Sequence, residues 1–399
     1  MVRFAHLADL HLGGWRDEKL KALGLEAFER AIDLIVEEAP DFVVIAGDLF
    51  NTALPSIDAV KHASVQLSRL RSSIPVYFIA GSHDYSASGK SMLDVLEGAG
   101  LARNVQKAHY SDNGRIVLEY TVDERTGVKL AGFPGKKGAL ESHYYEVLDR
   151  EAARTEPGVK VFLFHMLLSE FKRASDDLIP SSPTSVLPPG FAYYAGGHPH
   201  LVDHKRFAGG IVAYPGPLFP NNFEELEELG SGGFYFVDLD EKSVEWKRVL
   251  TRPVVRIEVS LDGEPAELQE RVLEELDREL AGSIVLVRAS GELTGSASQV
   301  DWPLIERKAF GKGAYAFAKN TYKLSTRTYE RVDVAVSHEH IESDIITEFS
   351  DKAEVPDVLG ERAFERIFSV LAKSKHEGET NADFEKRVKD DFEAEFGIR

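Results

Sequence analysis

Five short apolar runs, each ending on a carboxylate or an imidazole, constrain this chain more than any other feature. They lead into Asp9-Leu10-His11, Gly47-Asp48-Leu49-Phe50-Asn51, Gly81-Ser82-His83-Asp84, Phe164-His165 and Gly197-His198-Pro199-His200. Helix-period segments separate the first three. Residues 18–38 carry Leu20, Leu23, Leu25, Phe28, Ile32, Leu34 and Ile35 at helical spacing, and 56–70 reads as a second helix. Alternation of strand and helix periods predicts α/β layers with largely parallel pairing. In such sheets, active sites lie beyond the carboxyl ends of the strands, which is where these side chains fall.

Later segments are more purely β. Residues 115–120 and 128–132 read as paired strands, and 160–164 leads into His165. Pro180, Pro183, Pro188 and Pro189 make 179–190 a loop. Residues 191–196 lead into the last histidine pair, and 210–214, 233–239 and 244–250 complete a strand series. Residues 1–250 are thus expected to form one two-layered catalytic domain. Arg252-Pro253 marks a boundary, followed by a strand (255–259), an acidic amphipathic helix (265–280) and strands at 283–288 and 315–326, a small α/β module over 251–335. The remainder, 336–399, is helical and charged. It has one apolar stripe of Ala363, Ile367, Val370 and Leu371 and a second of Phe384, Val388, Phe392 and Phe396. A terminal helix pair cannot bury both stripes alone, so it packs back on the chain or docks on another protein.

Composition narrows the chemistry. The chain has no cysteine, which excludes disulfides, zinc ribbons and thiol catalysis within it. No apolar run approaches the roughly 18 residues a membrane span needs, and Val2–Asp9 reads as a strand ending in a ligand, not a signal peptide. The location expected is cytoplasmic, with no membrane association. A net charge of −19 repels a polyanion at long range. Any grip on nucleic acid is therefore confined to one face or shared with a partner.

Carboxylate oxygens mixed with imidazole nitrogens, without thiolates, suit a pair of divalent ions such as manganese, iron or zinc. Two such ions a few ångströms apart are machinery for phosphoester hydrolysis. Asp48 is the natural bridging ligand, and Gly47 before it lets backbone and metal approach closely. Asp9 and His11, like His198 and His200, occupy alternate positions beyond a strand, which predicts that each pair points to one side.

The motifs D-x-H, G-D, G-x-H-D, H and G-H-x-H, in this order, resemble those of the calcineurin-like metallophosphoesterase superfamily. Within it the chain is similar to DNA break-repair nucleases of the SbcD type. The shared stretches are Phe4-Ala-His-Leu-Ala-Asp9-Leu-His11-Leu-Gly-Gly, Gly47-Asp-Leu-Phe-Asn51, Phe191-Ala-Tyr-Tyr-Ala-Gly-Gly-His198-Pro-His200 and Tyr214-Pro-Gly-Pro217. The resemblance implies a two-layered β-sandwich flanked by helices, with an α/β cap and C-terminal helices. It implies two divalent ions, Mn2+ foremost. Asp9, His11, Asp48 and His200 would hold one; Asp48, Ser82, His165 and His198 the other. His83, oriented by Asp84, would stabilise the transition state or protonate the leaving group, and Asn51 would contact phosphate. Ser82 departs from the pattern, which has asparagine there; a shorter, poorer donor predicts a weaker second site. The resemblance further implies 3′-to-5′ exonuclease activity on duplex DNA, endonuclease activity on single strands, a homodimer, and an SbcC-type coiled-coil ABC ATPase gripped by the terminal helices.

Other features have plainer readings. Ser88-Gly89-Lys90-Ser91 is a helix start, because Asp84 stands where a phosphate-binding loop needs glycine. His338 and His340 lack a companion ligand cluster and read as solvated surface. Tyr193 and Tyr194 lead into the last histidine motif, where packing explains at least one of them. Lys136, Lys137, Lys172 and Arg173 are loop cations suited to DNA phosphates. Two alternatives stand beside the nuclease: a phosphodiesterase or phosphatase acting on smaller substrates, and a weakly active scaffold for the ATPase.

Overall fold

The computed structural model describes residues 2–85, 91–136, 141–173, 179–326 and 381–396. Residues 1–327 form one compact unit and 328–399 a second.

The chain opens with β1 (Arg3–Leu7), α1 (Glu18–Glu38), β2 (Phe42–Ala46), α2 (Ile57–Ser68), β3 (Val76–Ile79), α3 (Met92–Gly98) and β4 (Arg103–Asn104). The helix starts are written in the sequence: Asp17 and Ser56 cap α1 and α2 by accepting from Leu20 and Ala59 N–H groups. Ser91 and Asp94 form a reciprocal capping box at α3, so the helix start expected at the end of Ser88–Ser91 is present; residues 86–90 lie outside the described residues. Next come β5 (Ala108–Tyr110), β6 (Ile116–Leu118), β7 (Thr121–Val122), β8 (Lys129–Gly132), α4 (Ser142–Glu146), α5 (Arg150–Thr155) and β9 (Lys160–His165). Then follow β10 (Tyr193–Gly197), β11 (Val202–Phe207), β12 (Gly210–Pro215), α6 (Phe223–Leu229), β13 (Gly232–Asp238) and β14 (Ser243–Val249).

These strands build two six-stranded sheets, ordered β14-β13-β1-β2-β3-β4 and β11-β12-β10-β9-β8-β7. The β1-β2-β3-β4 and β8-β9-β10-β12 runs are parallel, as the sequence rhythm predicts for the first half. Strand alternation assigns the faces. In the first sheet, Ala5, Leu7, Val43, Ile45 and Phe78 face α1 and α2, packing on Leu23, Phe28, Ile32, Ile35, Ala63 and Leu67. Phe4, Phe42, Val44, Tyr77 and Ile79 face the second sheet and meet Leu130, Val161, Leu163 and Tyr193. The outer face of the second sheet, with Phe162, Phe164 and Tyr194, is covered by a third cluster that includes Ala153 of α5 and Tyr145 of α4. The result is a sandwich of two sheets between helical layers.

One pairing differs from expectation. Residues 116–118 and 129–132 do not pair with each other; β6 pairs with β5, and β8 with β7 and β9. Two tight turns explain it. Ser111, Asn113 and left-handed Gly114 fold one hairpin, and Asp123, which accepts from Thr126 N–H and Oγ1, folds the other before left-handed Gly127.

After Pro253, β15 (Val254–Ser260), α7 (Pro265–Glu275), β16 (Ile284–Leu293), α8 (Trp302–Gly311) and β17 (Ala316–Thr326) form a three-stranded parallel sheet, ordered β15-β16-β17. One face packs on α7 and α8 through Val285, Val287, Leu268, Val272 and Ile305. The other contributes Ile284, Leu286 and Ala316 to the core beneath α1 and α2, so this module shares a core with the sandwich. In the second unit, α9 (Asn381–Phe396) is helical over the positions of the expected second stripe. The stripe at 363–371, the 336–380 segment, His338, His340 and Lys137 lie outside the described residues.

Candidate metal centre

The carboxyl ends of β1, β2, β3, β9 and β10 converge at one edge of the sandwich. Gly197 is register partner to His165. The loop after β1 runs along the loop after β2, with Asp9 and His11 N–H groups donating to the Gly47 and Asp48 carbonyls. These loops are kinked, not extended. Asp9 (φ 53°), His11 (42°), Asp48 (51°), His198 (102°) and His200 (49°) all adopt positive φ. Only Ala39, Ala208 and Lys242 join them among the described non-glycine residues. The alternation argument for Asp9/His11 and His198/His200 therefore gives the wrong cause: left-handed turns, uncommon and strained outside glycine, aim these side chains inward. Aspartate and histidine are among the residues that tolerate such turns.

Glycines make the room. A Cβ on Gly47, itself at φ +89°, would lie 2.3 Å from His165 Nδ1; one on Gly81 would lie 2.2 Å from Asp48 Oδ1.

Asp9, His11, Asp48 and His165 are buried there, His200 is half-buried and His83 lies at the surface. His11 Nε2 and His200 Nε2 are 2.9 Å apart, and His11 Nε2 is 3.6 Å from Asp48 Oδ2. His165 Nε2 is 3.0 Å from Asp48 Oδ2. Three groups each bring their ligand atoms within 4.8 Å of one another: Asp9, His11 and His200; His11, Asp48 and His83; Asp9, Asp48 and His165. Each outer imidazole is fixed by the same device. Nδ1 of His165 faces the Ala46 carbonyl, Nδ1 of His83 the Asn51 carbonyl, and Nδ1 of His200 the Glu225 carboxylate, all at 2.8 Å. With Nδ1–H donated outward, Nε2 of His165 and of His200 is left as the candidate ligand atom.

Electrostatics follow from burial and crowding. Burial alone would raise Asp48, but His165 and His11 hold it well below the usual carboxylate range. Burial would lower His165, yet Asp48 and Asp9 lift it to about 10. Burial raises Asp9 and drives His11 well below the imidazole range. His198 is brought down to about 4 by burial and by His165 beside it. Two imidazole Nε2 atoms 2.9 Å apart share at most one proton, and two buried carboxylates adjoin them. A divalent cation satisfies all four, so the mixed imidazole and carboxylate donor set fits a divalent transition-metal ion.

Other expected residues stand as follows. Ser82 Oγ is buried 3.5 Å from Asp48 Oδ2, at the edge of hydrogen-bond range. His198 stacks edge-on to His165, with centroids 5.3 Å apart, and its backbone N–H donates to both Asp9 oxygens. Asp84 does not orient His83. Its carboxylate turns inward and accepts from Leu49, Phe50 and Gly81 N–H groups, strapping the loop that carries Asp48. Burial and the nearby Asp48 charge push it up to about 7. The Asn51 carbonyl holds His83 instead, and the Asn51 amide meets Asn221 at 3.5 Å. Lys136 lies against the rings of Tyr85 and Tyr144, and Arg173 is 3.5 Å from Glu228. Tyr193 and Tyr194 are fully buried, as read. Glu225 was not anticipated. Its sequence signal, Asn222 three residues earlier, marks a helix start and gives no hint of the imidazole it reaches.

The sequence profile described as calcineurin-like phosphoesterase matches residues 2–202, just over half of the chain. The chain belongs to this family. Among its phosphoesterase relatives are proteins named DNA double-strand break repair protein Mre11. The one from Archaeoglobus fulgidus is 31% identical over 241 residues, 57% of this chain and 52% of the relative. That from Methanopyrus kandleri is 30% identical over 297 residues, 68% and 62%. That from Aeropyrum pernix is 31% identical over 309 residues, 73% and 70%. The matched region thus spans from about half to seven tenths of these relatives' lengths. Among the described residues, no helix of this phosphoesterase is long and apolar enough to cross a membrane.

Proposed function

We propose that this phosphoesterase is a DNA nuclease of double-strand-break repair that uses two divalent ions, Mn2+ first among them. One observation carries the reading: buried Asp9, His11, Asp48 and His165 and half-buried His200, drawn from both sheets, converge in a single cluster. The similarity to Mre11 proteins supplies the substrate class.

Asp9, His11, Asp48 and His200 would hold one ion, and Asp48, His165, His198 and Ser82 the other. When bound, the ions neutralise the phosphate, activate water and stabilise the leaving oxygen. The chain's own residues do the rest. Asp84 clamps three backbone N–H groups and so fixes the loop that aims Asp48. His83, exposed at the rim with Nδ1–H donated to the Asn51 carbonyl, presents Nε2 to an incoming phosphodiester and, as the imidazolium, would pass its Nε2 proton to the departing oxygen, returning to the neutral ring. Asn51, beside it, is placed to contact phosphate.

The same reading includes 3′-to-5′ digestion of duplex DNA, cleavage of single strands and action as a homodimer. It also includes docking of residues 336–399 on an SbcC-type coiled-coil ABC ATPase, and a capping role for 251–335.

The test is to assay the purified chain with Mn2+ on plasmid, hairpin-ended duplex, single-stranded oligonucleotide and bis-p-nitrophenyl phosphate. Cleavage of DNA that a chelator abolishes and His83→Ala suppresses is expected. Turnover of the small diester alone would refute DNA as substrate, and no turnover of any would refute the enzyme.

A further inference from the structure

Helix α6 touches two regions that the sandwich otherwise separates. On one side, Glu225 Oε1 lies 2.8 Å from His200 Nδ1. The same carboxylate is fixed from behind by the Asn221 N–H at 2.7 Å and the Asn222 amide at 2.5 Å. On the other side, Glu227 makes a forked ion pair with Arg288 of β16, at 2.8 Å to Nε and 2.5 Å to Nη2. The Arg288 guanidinium also covers the Phe223 ring at 5.3 Å. Residues two apart on a helix do not share a face, which is how one short helix grips in both directions.

We infer that Glu225 is a positioning residue for His200, and that α6 carries the seating of the β15-β16-β17 module to the metal centre. This rests on the reading of the cluster as a divalent-ion site. By accepting from Nδ1, Glu225 fixes the ring so that Nε2 is the ligand atom. Nε2 is the atom that stands 2.9 Å from its counterpart on His11. Arg288, on the central strand of the module, fixes Glu227 and through it the helix that presents Glu225. A helical segment moves as a body, so a shift of about 1 Å at the Arg288 contact takes the Glu225–His200 bond out of range. Whatever displaces the three-stranded module on this face, a bound strand or a partner protein, thereby alters ion affinity without touching a ligand.

The test is calorimetric titration of Mn2+ into the full chain, with thermal melts in parallel, for wild type, Glu225→Gln, Arg288→Met, the exchanged pair Glu227→Arg/Arg288→Glu, and Lys308→Met. The last breaks a contact to the Leu273 carbonyl and Asp277 in the same module, away from α6. Expected are a loss in affinity of about 10- to 100-fold for Glu225→Gln, a smaller loss in the same direction for Arg288→Met, recovery in the exchanged pair, and wild-type affinity for Lys308→Met. Wild-type affinity in Glu225→Gln overturns the positioning role. Wild-type affinity in Arg288→Met, or an equal loss in Lys308→Met, overturns the coupling. Absence of Mn2+ binding by the wild-type chain would overturn the metal site itself, a different failure from either.

Discussion

Replacing Gly197 by alanine adds one methyl group at the point where the two sheets meet the ligands. The φ of Gly197 is not left-handed, so the effect is steric. The new Cβ would stand 2.3 Å from the Ala46 carbonyl oxygen, 2.8 Å from His165 Nδ1 and 3.1 Å from Ala8 Cβ. The first two atoms are the partners of the 2.8 Å hydrogen bond that sets the His165 ring. Neither can swing aside: one is backbone of β2, the other a fully buried imidazole. Overpacking of this kind costs about 1–3 kcal/mol, and a broken buried hydrogen bond about as much again. Together they give roughly 2–6 kcal/mol, or about 3–9 °C in melting temperature for a unit of this size. Because His165 is released from its carbonyl, Mn2+ affinity should fall by about 10- to 100-fold. Gly98→Ala is the control, since a Cβ there meets nothing within 4 Å; it should be neutral or stabilising by a few tenths of a kcal/mol. Thermal melts with and without Mn2+, and calorimetry, read both effects. If Gly197→Ala melts within about 2 °C of wild type and binds Mn2+ equally, the description of this junction is wrong.

Further tests address other parts of the structure. His83→Ala should reduce kcat by about 10²- to 10⁴-fold with Mn2+ affinity unchanged; loss of ion binding instead would make His83 a ligand and not a proton carrier. Ser82→Asn, which extends a neutral oxygen toward the ion shared with Asp48, should lower the Mn2+ concentration for half-maximal activity, and superimposable activation curves would remove Ser82 from the site. His6 is fully buried with Nδ1 2.9 Å from the Tyr193 hydroxyl, and burial takes its pKa down to about 3. The unfolded chain binds that proton near pH 6.5, so the contribution of a neutral His6 is complete above pH 6.5 and shrinks as pH falls toward 3. The loss amounts to at most roughly 5 kcal/mol. Urea unfolding of metal-free wild type and His6→Gln at pH 7 and pH 4.5 should show the shallower pH dependence in the variant; parallel shifts would exclude His6 as the source.

The sheets and the candidate ligand cluster were legible because apolar runs stop abruptly at Asp9, Asp48, His83, His165 and His198, and a strand end is where an α/β site forms. What stayed hidden was non-local or conformational. The left-handed turns at Asp9, His11, Asp48, His198 and His200 leave no mark in periodicity. Asp84 reads as a partner for its neighbour His83, yet its carboxylate is claimed by the Leu49 and Phe50 N–H groups from the loop after β2 and by Gly81 N–H in its own loop. Glu225 looks like an ordinary first-turn acid because its imidazole partner lies 25 residues away in sequence. The Asn113-Gly114 turn is a hairpin signal that the expected pairing of 115–120 with 128–132 passed over, and β6 pairs with β5 across it.

The positive φ at Asp9, His11, Asp48, His198 and His200 has a consequence for how such a centre can drift. A position in that conformation admits asparagine, glycine and a few others at low strain, while valine, isoleucine or threonine fit it poorly whatever their chemistry. Saturation libraries at these five sites, scored for folding alone in the presence of chelator, should therefore already be skewed toward short polar residues and glycine. Backbone shape would then filter the alphabet before catalysis ever does, and inactive descendants would keep an imprint of the lost ions in their turns.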